Sequence, residues 1–187
     1  MKTFLLSLFI FSYAQPSFGQ GINTSKSIKP REITACIERF KLTPEQRLKK
    51  YPFNKARQIQ LVSFSQKEDN SEYILASVPI INDTLCMSNV TGIANLTKSQ
   101  INKLTDILFN VGLKENSYTF SVSTAVGLDG GIIFIDSKDK IFEFIDICFD
   151  CQEIEVRTSK VRKSIGLPCI QKMSMLKSFF IESGLKF

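Results

Sequence analysis

The stretch Gly130 to Cys151, GGIIFIDSKDKIFEFIDICFDC, decides the fold of this chain. It opens with an unbroken β-branched and aromatic run from Ile132 to Ile135, continues through a polar turn at 137–140, and resumes an apolar pattern from Ile141 to Phe149. Two apolar runs of strand length joined by a short polar turn predict a β-hairpin.

The second strand of this hairpin is apolar on both faces. Strict alternation places the even positions from Phe142 to Cys148 on one face and the odd positions from Ile141 to Phe149 on the other. Because neither face is polar throughout, we expect this strand to lie inside a sheet that is covered on each side.

The hairpin ends in the pair Cys148 and Cys151. If the strand continues straight through Cys151, the two thiols point to opposite faces and their Cα atoms lie roughly 10 Å apart. A disulfide tolerates no more than about 7 Å. The two residues would then pair with other cysteines, unless the strand ends and turns at Phe149.

Residues 1–19 have the features of a Sec-type signal peptide: a charged Lys2, an apolar segment from Phe4 to Tyr13, and the small-x-small sequence Ser17-Phe18-Gly19. We predict cleavage before Gln20 and a secreted or periplasmic location. The apolar segment is too short to span a bilayer, and no later window is apolar enough. We therefore expect no transmembrane segment after signal cleavage.

The predicted organisation is a signal peptide at 1–19, a disordered segment at 20–29 and a single α+β domain at 30–187. Removing Lys2 leaves 23 basic and 18 acidic residues, or 23 − 18 = +5. An exported chain with so modest a surplus is not expected to bind nucleic acid. The candidate partners are an envelope protein or an anionic surface polymer, which a basic loop over 157–166 could contact through Arg157, Lys160, Arg162 and Lys163.

Three helices are indicated outside the hairpin. Thr43 and Pro44 begin a short helix that ends before Pro52. A capping box at 97–100 begins a second helix, which Gly112 stops. The last helix covers 170–183, with Gly184 after its end.

The remaining strand candidates are 58–65 and 73–80, predicted to form a first hairpin, 118–124, which leads into the central hairpin, and 152–156. Strands and helices do not alternate regularly. The sequence therefore predicts an α+β fold in which an antiparallel sheet of about five strands carries two main helices.

All five cysteines remain after removal of the signal peptide, and in an oxidising compartment they predict two disulfides and one free or buried thiol. Fifteen such pairings are possible. We favour a bond from Cys169 to Cys148 or Cys151, because the intervening segment can return to the sheet. The disulfide candidates are Cys36, Cys86, Cys148, Cys151 and Cys169.

The chain has no histidine, which excludes imidazole-dependent catalysis and His-liganded zinc. Redox chemistry at Cys148 and Cys151 would need a stabilised thiolate. Such a thiolate would be destabilised by the negative charges around it, which belong to Asp146, Asp150, Glu153 and Glu155. A cysteine-only metal site would combine Cys148 and Cys151 with Cys169 and either Cys36 or Cys86, but a single Cys-x-x-Cys is a weak signal for one. The acids near the hairpin are interpreted as solubilising residues rather than a catalytic pair; they are Asp129, Asp136, Asp146 and Asp150. We therefore expect no cofactor.

Three segments resemble a family of small exported or lipid-anchored proteins of the Bacteroidota: 51–56 leading into the strand 59–64, the hairpin ending Cys-Phe-Asp-Cys at 148–151, and the C-terminal helix ending near Gly184. The family carries a further cysteine and Pro-Arg before the hairpin, where this chain has 126–129. The resemblance implies export and a shared fold, but no activity.

These observations together favour a non-enzymatic binding or envelope-associated protein held by disulfides. The alternative is a periplasmic thiol-disulfide redox accessory protein that uses Cys148 and Cys151. Cysteines that are buried in the sheet and bonded to Cys169 or Cys86 favour the binding protein. A Cys148–Cys151 bond at an exposed helix start favours the redox protein.

Overall fold

A computed structural model describes residues 37–38, 40–64, 77–112, 130–150 and 152–187. All of them belong to one compact unit, Glu32–Phe187. The predicted signal peptide, the predicted disordered segment, the strand predicted over 118–124, and residues Cys36, Asp129 and Cys151 lie outside this description.

The predicted α+β class is confirmed: a five-stranded antiparallel sheet, in the order β5-β2-β7-β8-β9, carries helices. Two further strand pairs, β1 with β6 and β3 with β4, flank it. In chain order the strands are β1 (Ile37–Glu38), β2 (Gln58–Phe64), β3 (Ile80–Ile81), β4 (Thr84–Leu85), β5 (Val90–Asn95), β6 (Val111–Gly112), β7 (Gly130–Ile135), β8 (Ile141–Cys148) and β9 (Glu153–Val156).

The described residues contain four α-helices: α1 (Pro44–Leu48), α2 (Lys98–Asn110), α3 (Ser159–Ile165) and α4 (Ile170–Glu182). Both predicted capping signals are present, because Thr43 and Thr97 each accept from the backbone three residues on while a glutamine there accepts in return from the cap. Gly184 has a φ of 93° and follows α4 as predicted.

The central hairpin is confirmed as β7 and β8, and β8 lies inside the sheet between β7 and β9. The strict alternation predicted along β8 is wrong at its start. Phe134 pairs with Glu143 and Ile135 with Ile141, so Phe142 is an extra residue in a β-bulge. As a result Ile141 packs with Phe144 on one face while Phe142 packs on the other.

The predicted hairpin between 58–65 and 73–80 is also wrong. Strand β2 is bonded along one side to β5 and along the other to β7, which leaves it no edge for a third strand. Ile80 and Ile81 instead pair with Leu85 and Thr84 in a small separate hairpin.

The basic segment predicted as a loop contains helix α3. Thr158 caps it, since its hydroxyl accepts from the N–H of Val161. Val161 and Ile165 lie four residues apart on one helical face and both are buried. The cap and this spacing are visible in the sequence. They favour a helix more strongly than the exposed basic residues between them favour a loop.

Two apolar clusters cover the two faces of the sheet. The larger joins one face to α2, α3 and α4 and includes Leu61, Phe134, Ile145, Leu108 and Phe180. The smaller lies on the other face beneath the segment 78–85 and includes Val62, Phe64, Val78, Ile133 and Cys148. The helices and the 78–85 segment therefore supply the cover expected on each side.

Candidate functional site

Phe149, Asp150 and Gln152, the described residues of the β8–β9 loop, form the centre of the candidate site. Strand β8 ends at Cys148, the chain turns at Phe149 and Asp150, and Cys148 pairs with Glu153 at the start of β9. The straight strand that would separate Cys148 from Cys151 is therefore not formed. The exception foreseen in the sequence, a turn at Phe149, applies.

Cys148 is a core residue. It is 1% exposed and packs in the smaller cluster with Val62, Phe64 and Val78. It is disulfide-bonded. No helix begins at Cys148, because a turn and then β9 follow it. A sulfur buried among apolar side chains lacks the exposure that a reactive thiolate needs.

The other two described cysteines differ from each other. Cys169 is buried at the N-cap of α4 and is disulfide-bonded. Cys86 is a free thiol that precedes a short 3-10 turn, and its hydrogen bond with Ser88 lowers its pKa. Cys148 packs on the face of the sheet opposite to the helix layer that contains α4. The pairing of the cysteines stays a prediction.

A surface groove of about 310 Å³ lies between the β8–β9 loop and one side of α4. Its lining combines apolar, hydroxyl, amide and ammonium groups. The lining residues are Phe149, Gln152, Ile170, Met173, Ser174, Lys177, Ser178 and Ile181.

Gln152 lines the groove, and the oxygen of its side-chain amide is buried without a hydrogen-bond partner. Among the described residues, its Oε1 is the one buried side-chain oxygen or nitrogen without a hydrogen-bond partner. Leaving a buried acceptor unpaired costs about 1–3 kcal/mol. The backbone of Gln152 has a φ of 57°, a left-handed conformation unusual for a residue other than glycine. The loop thus holds an unpaired acceptor in a constrained position.

The ammonium group of the groove belongs to Lys177. Its Nζ lies 3.4 Å from Oδ1 of Asp150 and 5.9 Å from the ring centroid of Phe149. The Lys177 and Asp150 side chains are 42% and 87% exposed, respectively. Because an ion pair between exposed groups is worth about 0–1 kcal/mol, Asp150 holds the ammonium only weakly.

Aromatic packing fixes the wall of the groove. The ring of Phe149 lies edge-on to Phe180, with centroids 5.3 Å apart, and to Phe187 at 4.8 Å. Gly130 lies under these rings, and a Cβ there would approach Phe180 to 3.0 Å. The wall is therefore built on the core of the sheet.

The described acidic residues near the hairpin, Asp136, Asp146 and Asp150, occupy different parts of it. Asp136 accepts from the N–H groups of Lys138 and Lys140, which lowers its pKa and organises the β7–β8 turn. Asp146 lies near the other end of β8, buried against the 78–85 segment. Within the described ranges no three potential ligands from Cys, Asp and Glu come together as a metal site.

The basic side chains predicted as a partner surface lie on and just before α3. The Nζ of Lys160 lies 4.6 Å from the ring centroid of Tyr51. The guanidinium of Arg157 lies 5.9 Å from the ring centroid of Phe144. Both are exposed. They rest on aromatic rings rather than converging on a cavity.

Glu143 is a buried carboxylate that the sequence analysis did not single out. It is 0% exposed, and its Oε2 accepts from the hydroxyls of Tyr51 at 3.0 Å and Thr158 at 2.9 Å. Burial and the bond to Glu143 raise the pKa of Tyr51 to about 12. Because the carboxylate is fully enclosed, it joins three segments of the fold rather than meeting a substrate.

Lys172 is the corresponding buried cation. It is 0% exposed, and its Nζ donates to the carbonyl of Leu108 at 2.9 Å and to that of Ile165. These carbonyls belong to the last turns of α2 and α3, where no N–H group of the same helix is available to donate to them. The ammonium also lies at the negative ends of both helix dipoles, where a positive charge is stabilising.

None of the described helices is long and apolar enough to cross a membrane. Comparison of the chain with protein-family models, with curated proteins and with solved structures gives no match. The resemblance stated from the hairpin and its flanking segments remains a prediction.

Proposed function

We propose that this chain is an exported, non-enzymatic binding protein whose disulfides hold the fold and whose ligand site is the groove between α4 and the β8–β9 loop. The observation that carries the proposal is the groove of about 310 Å³, whose lining places apolar side chains beside two hydroxyl groups and an ammonium group.

The lining of the groove supports binding rather than catalysis. Phe149, Met173 and the exposed Ile170 and Ile181 offer apolar contact, while the polar atoms can orient a ligand. The hydroxyls of this lining belong to Ser174 and Ser178, and because the chain has no histidine neither can be activated by an imidazole base.

The burial of Cys148 argues against the alternative, a thiol-disulfide redox accessory protein. A redox cysteine must present its sulfur to a partner, whereas Cys148 is 1% exposed among apolar side chains. We assign Cys148 and Cys169 to two different bonds, with Cys36 and Cys151 as the remaining partners, because they serve opposite sides of the sheet. Both bonds then act as staples.

Export is the second part of the proposal. It is supported by the charged, apolar and small-x-small segments of residues 1–19 and by disulfide bonding, which persists in oxidising compartments. N-terminal mass spectrometry of the exported protein should find Gln20 first. Recovery of a chain that retains Lys2 from the cytoplasm would contradict export.

The groove is tested by two-dimensional NMR of the mature protein titrated with isobutanol and with N-methylacetamide, which bring apolar carbon and a donor. We expect saturable shifts at the amides of Ser174, Ser178 and Ile181. The variant Ile181→Glu should remove them. The matched control Met175→Glu, on α4 but outside the lining, should keep them. Shifts that are absent, or that survive Ile181→Glu, would refute the groove as the site.

A further inference from the structure

On the face of the sheet opposite to the helices, residues 77–85 are attached through a buried carboxylate. We propose that these residues, named the strap, form a cover that stays closed while Asp146 is protonated and opens locally when Asp146 ionises. Access to the apolar face beneath the strap then depends on pH. This inference is independent of the groove beside α4.

The strap is hydrogen-bonded to the sheet at two places. At its start, Asp146 of β8 accepts from the hydroxyl of Ser77 and from the N–H of Val78, each at 2.7 Å. At the turn between β3 and β4, the carbonyl of Asp83 accepts from the N–H of Ile141 at 3.0 Å. Strands β3 and β4 pair with each other and not with the five-stranded sheet. The strap can therefore leave the sheet without breaking a strand pairing.

Apolar contact holds the strap closed. Val78 is 3% exposed and lies against Gly131, where a Cβ would come within 2.3 Å of the Cγ2 of Val78. Beneath the strap lie Val62, Ile133 and Cys148, which belong with Val78 to the smaller apolar cluster. Because opening exposes this cluster to water, the hydrophobic effect favours the closed form. Opening therefore needs a group that opposes this contact.

Asp146 is that group, because the side chains that flank it across the sheet do not offset its charge. It is 4% exposed. Its neighbour on β7, Gly131, has no side chain. Its neighbour on β9, Glu155, lies directly opposite on the same face and carries the same charge, which is destabilising. Ionisation thus places a buried negative charge beside a second one.

No cation compensates this charge among the described residues. None of their ion pairs includes Asp146. The strap presents only neutral donors to it, the hydroxyl of Ser77 and the N–H of Val78. Along β8, the guanidinium of Arg157 lies 5.9 Å from the ring centroid of Phe144, two positions before Asp146. Hydration on opening is therefore the main relief available to the ionised carboxylate.

The direction of the pH effect follows from proton linkage. Burial raises the pKa of Asp146 to about 6, more than the bonds from Val78 and Ser77 lower it, and the charge of Glu155 adds to the rise. In the open form the carboxylate is hydrated and its pKa returns toward 3.8. Closure is therefore fully favoured below pH 3.8, and this advantage is lost as pH rises through about 6. The gap between the two values changes the opening equilibrium about a hundredfold.

Native-state hydrogen exchange between pH 4 and pH 7, followed by NMR and corrected for intrinsic exchange rates, tests the proposal. The amides of Val78 and Ile141 donate between strap and sheet, while that of Leu61 lies in a strand paired along both sides. We expect Val78 and Ile141 to share one opening constant, roughly tenfold or more above that of Leu61. It should rise about a hundredfold from pH 4 to pH 7. One opening constant for all three amides would overturn the proposal, because the strap would then open only on global unfolding.

A matched pair of variants assigns the effect to Asp146. Asp146→Asn still offers an acceptor to Val78 but cannot ionise, so at pH 7 its strap amides should exchange with the low opening constant that the parent has at pH 4. Asp150→Asn makes the same change at an exposed carboxylate that does not contact the strap, and it should keep the parent's rise with pH. A rise that survives Asp146→Asn, or one that Asp150→Asn removes equally, would overturn the proposal.

Discussion

Replacing Asp146 by asparagine should stabilise this protein at neutral pH and leave it unchanged in acid. The carboxylate is 4% exposed and accepts from the hydroxyl of Ser77 and the N–H of Val78, each at 2.7 Å. Burial outweighs these two bonds and raises the pKa of Asp146 from 3.8 to about 6, with a smaller contribution from the charge of Glu155.

The sign follows from proton linkage. The folded state holds the Asp146 proton more tightly than the unfolded state, so its contribution to stability is complete below pH 3.8 and is lost as pH rises through about 6. At about 1.4 kcal/mol per unit, the loss amounts to about 3 kcal/mol. An asparagine at 146 does not titrate and still offers an acceptor to Val78.

The assay is urea unfolding followed by circular dichroism at pH 4, 5, 6, 7 and 8. The difference in unfolding free energy between Asp146→Asn and the parent should be near zero at pH 4 and rise to about 3 kcal/mol at pH 8. Ser77→Ala is the companion variant. It removes a bond that favours the charged form, so it should destabilise by about 1–2 kcal/mol at pH 8 and by less at pH 4. A difference independent of pH, or an asparagine variant less stable than the parent at pH 8, would refute the reasoning.

Three further variants test the buried contacts by urea unfolding. Lys172→Met should cost about 2–5 kcal/mol, because two helix-end carbonyls lose their donor; a cost below 1 kcal/mol would contradict the capping role. Tyr51→Phe should cost about 1–3 kcal/mol, because Glu143 loses one of its hydroxyl donors; an unchanged midpoint would count against that bond. Gly131→Ala should cost about 1–3 kcal/mol, since the new Cβ would lie 2.3 Å from Cγ2 of Val78. Adding Val78→Ala should recover part of that loss, and simple additivity of the two changes would argue against the clash.

Local sequence signals were sufficient for the central hairpin and for α1, α2 and α4, but not for α3, for β5 or for the register of the sheet. The β-branched runs of β7 and β8 and the polar turn between them predicted the hairpin, since each depends only on neighbours in the chain. The bulge at Phe142 depends on how β8 pairs with β7, and alternation alone cannot show it. The same limit explains why the pairing of β2 was predicted wrongly, because its two partner strands, β5 and β7, are distant from it in the sequence.

The candidate site was predictable only in part. The sequence left open whether the strand continues through Cys151 or turns at Phe149, and the structure shows the turn. The groove also needs α4 to lie beside this turn, a long-range contact that no local pattern encodes. Glu143 and Lys172 look like surface positions in the sequence, because charged residues are seldom fully buried unless partnered. Their partners come from elements far along the chain, which is why the sequence could not reveal them.

The most direct test of the central claim is mass-spectrometric disulfide mapping of the exported protein, alkylated before and after reduction. The account predicts that Cys148 and Cys169 are each found in a disulfide, in two separate bonds, and that Cys86 alone is alkylated without reduction. Alkylation of Cys148 without reduction, or a Cys148 disulfide that turns over when insulin is supplied as substrate, would contradict the structural role of these cysteines.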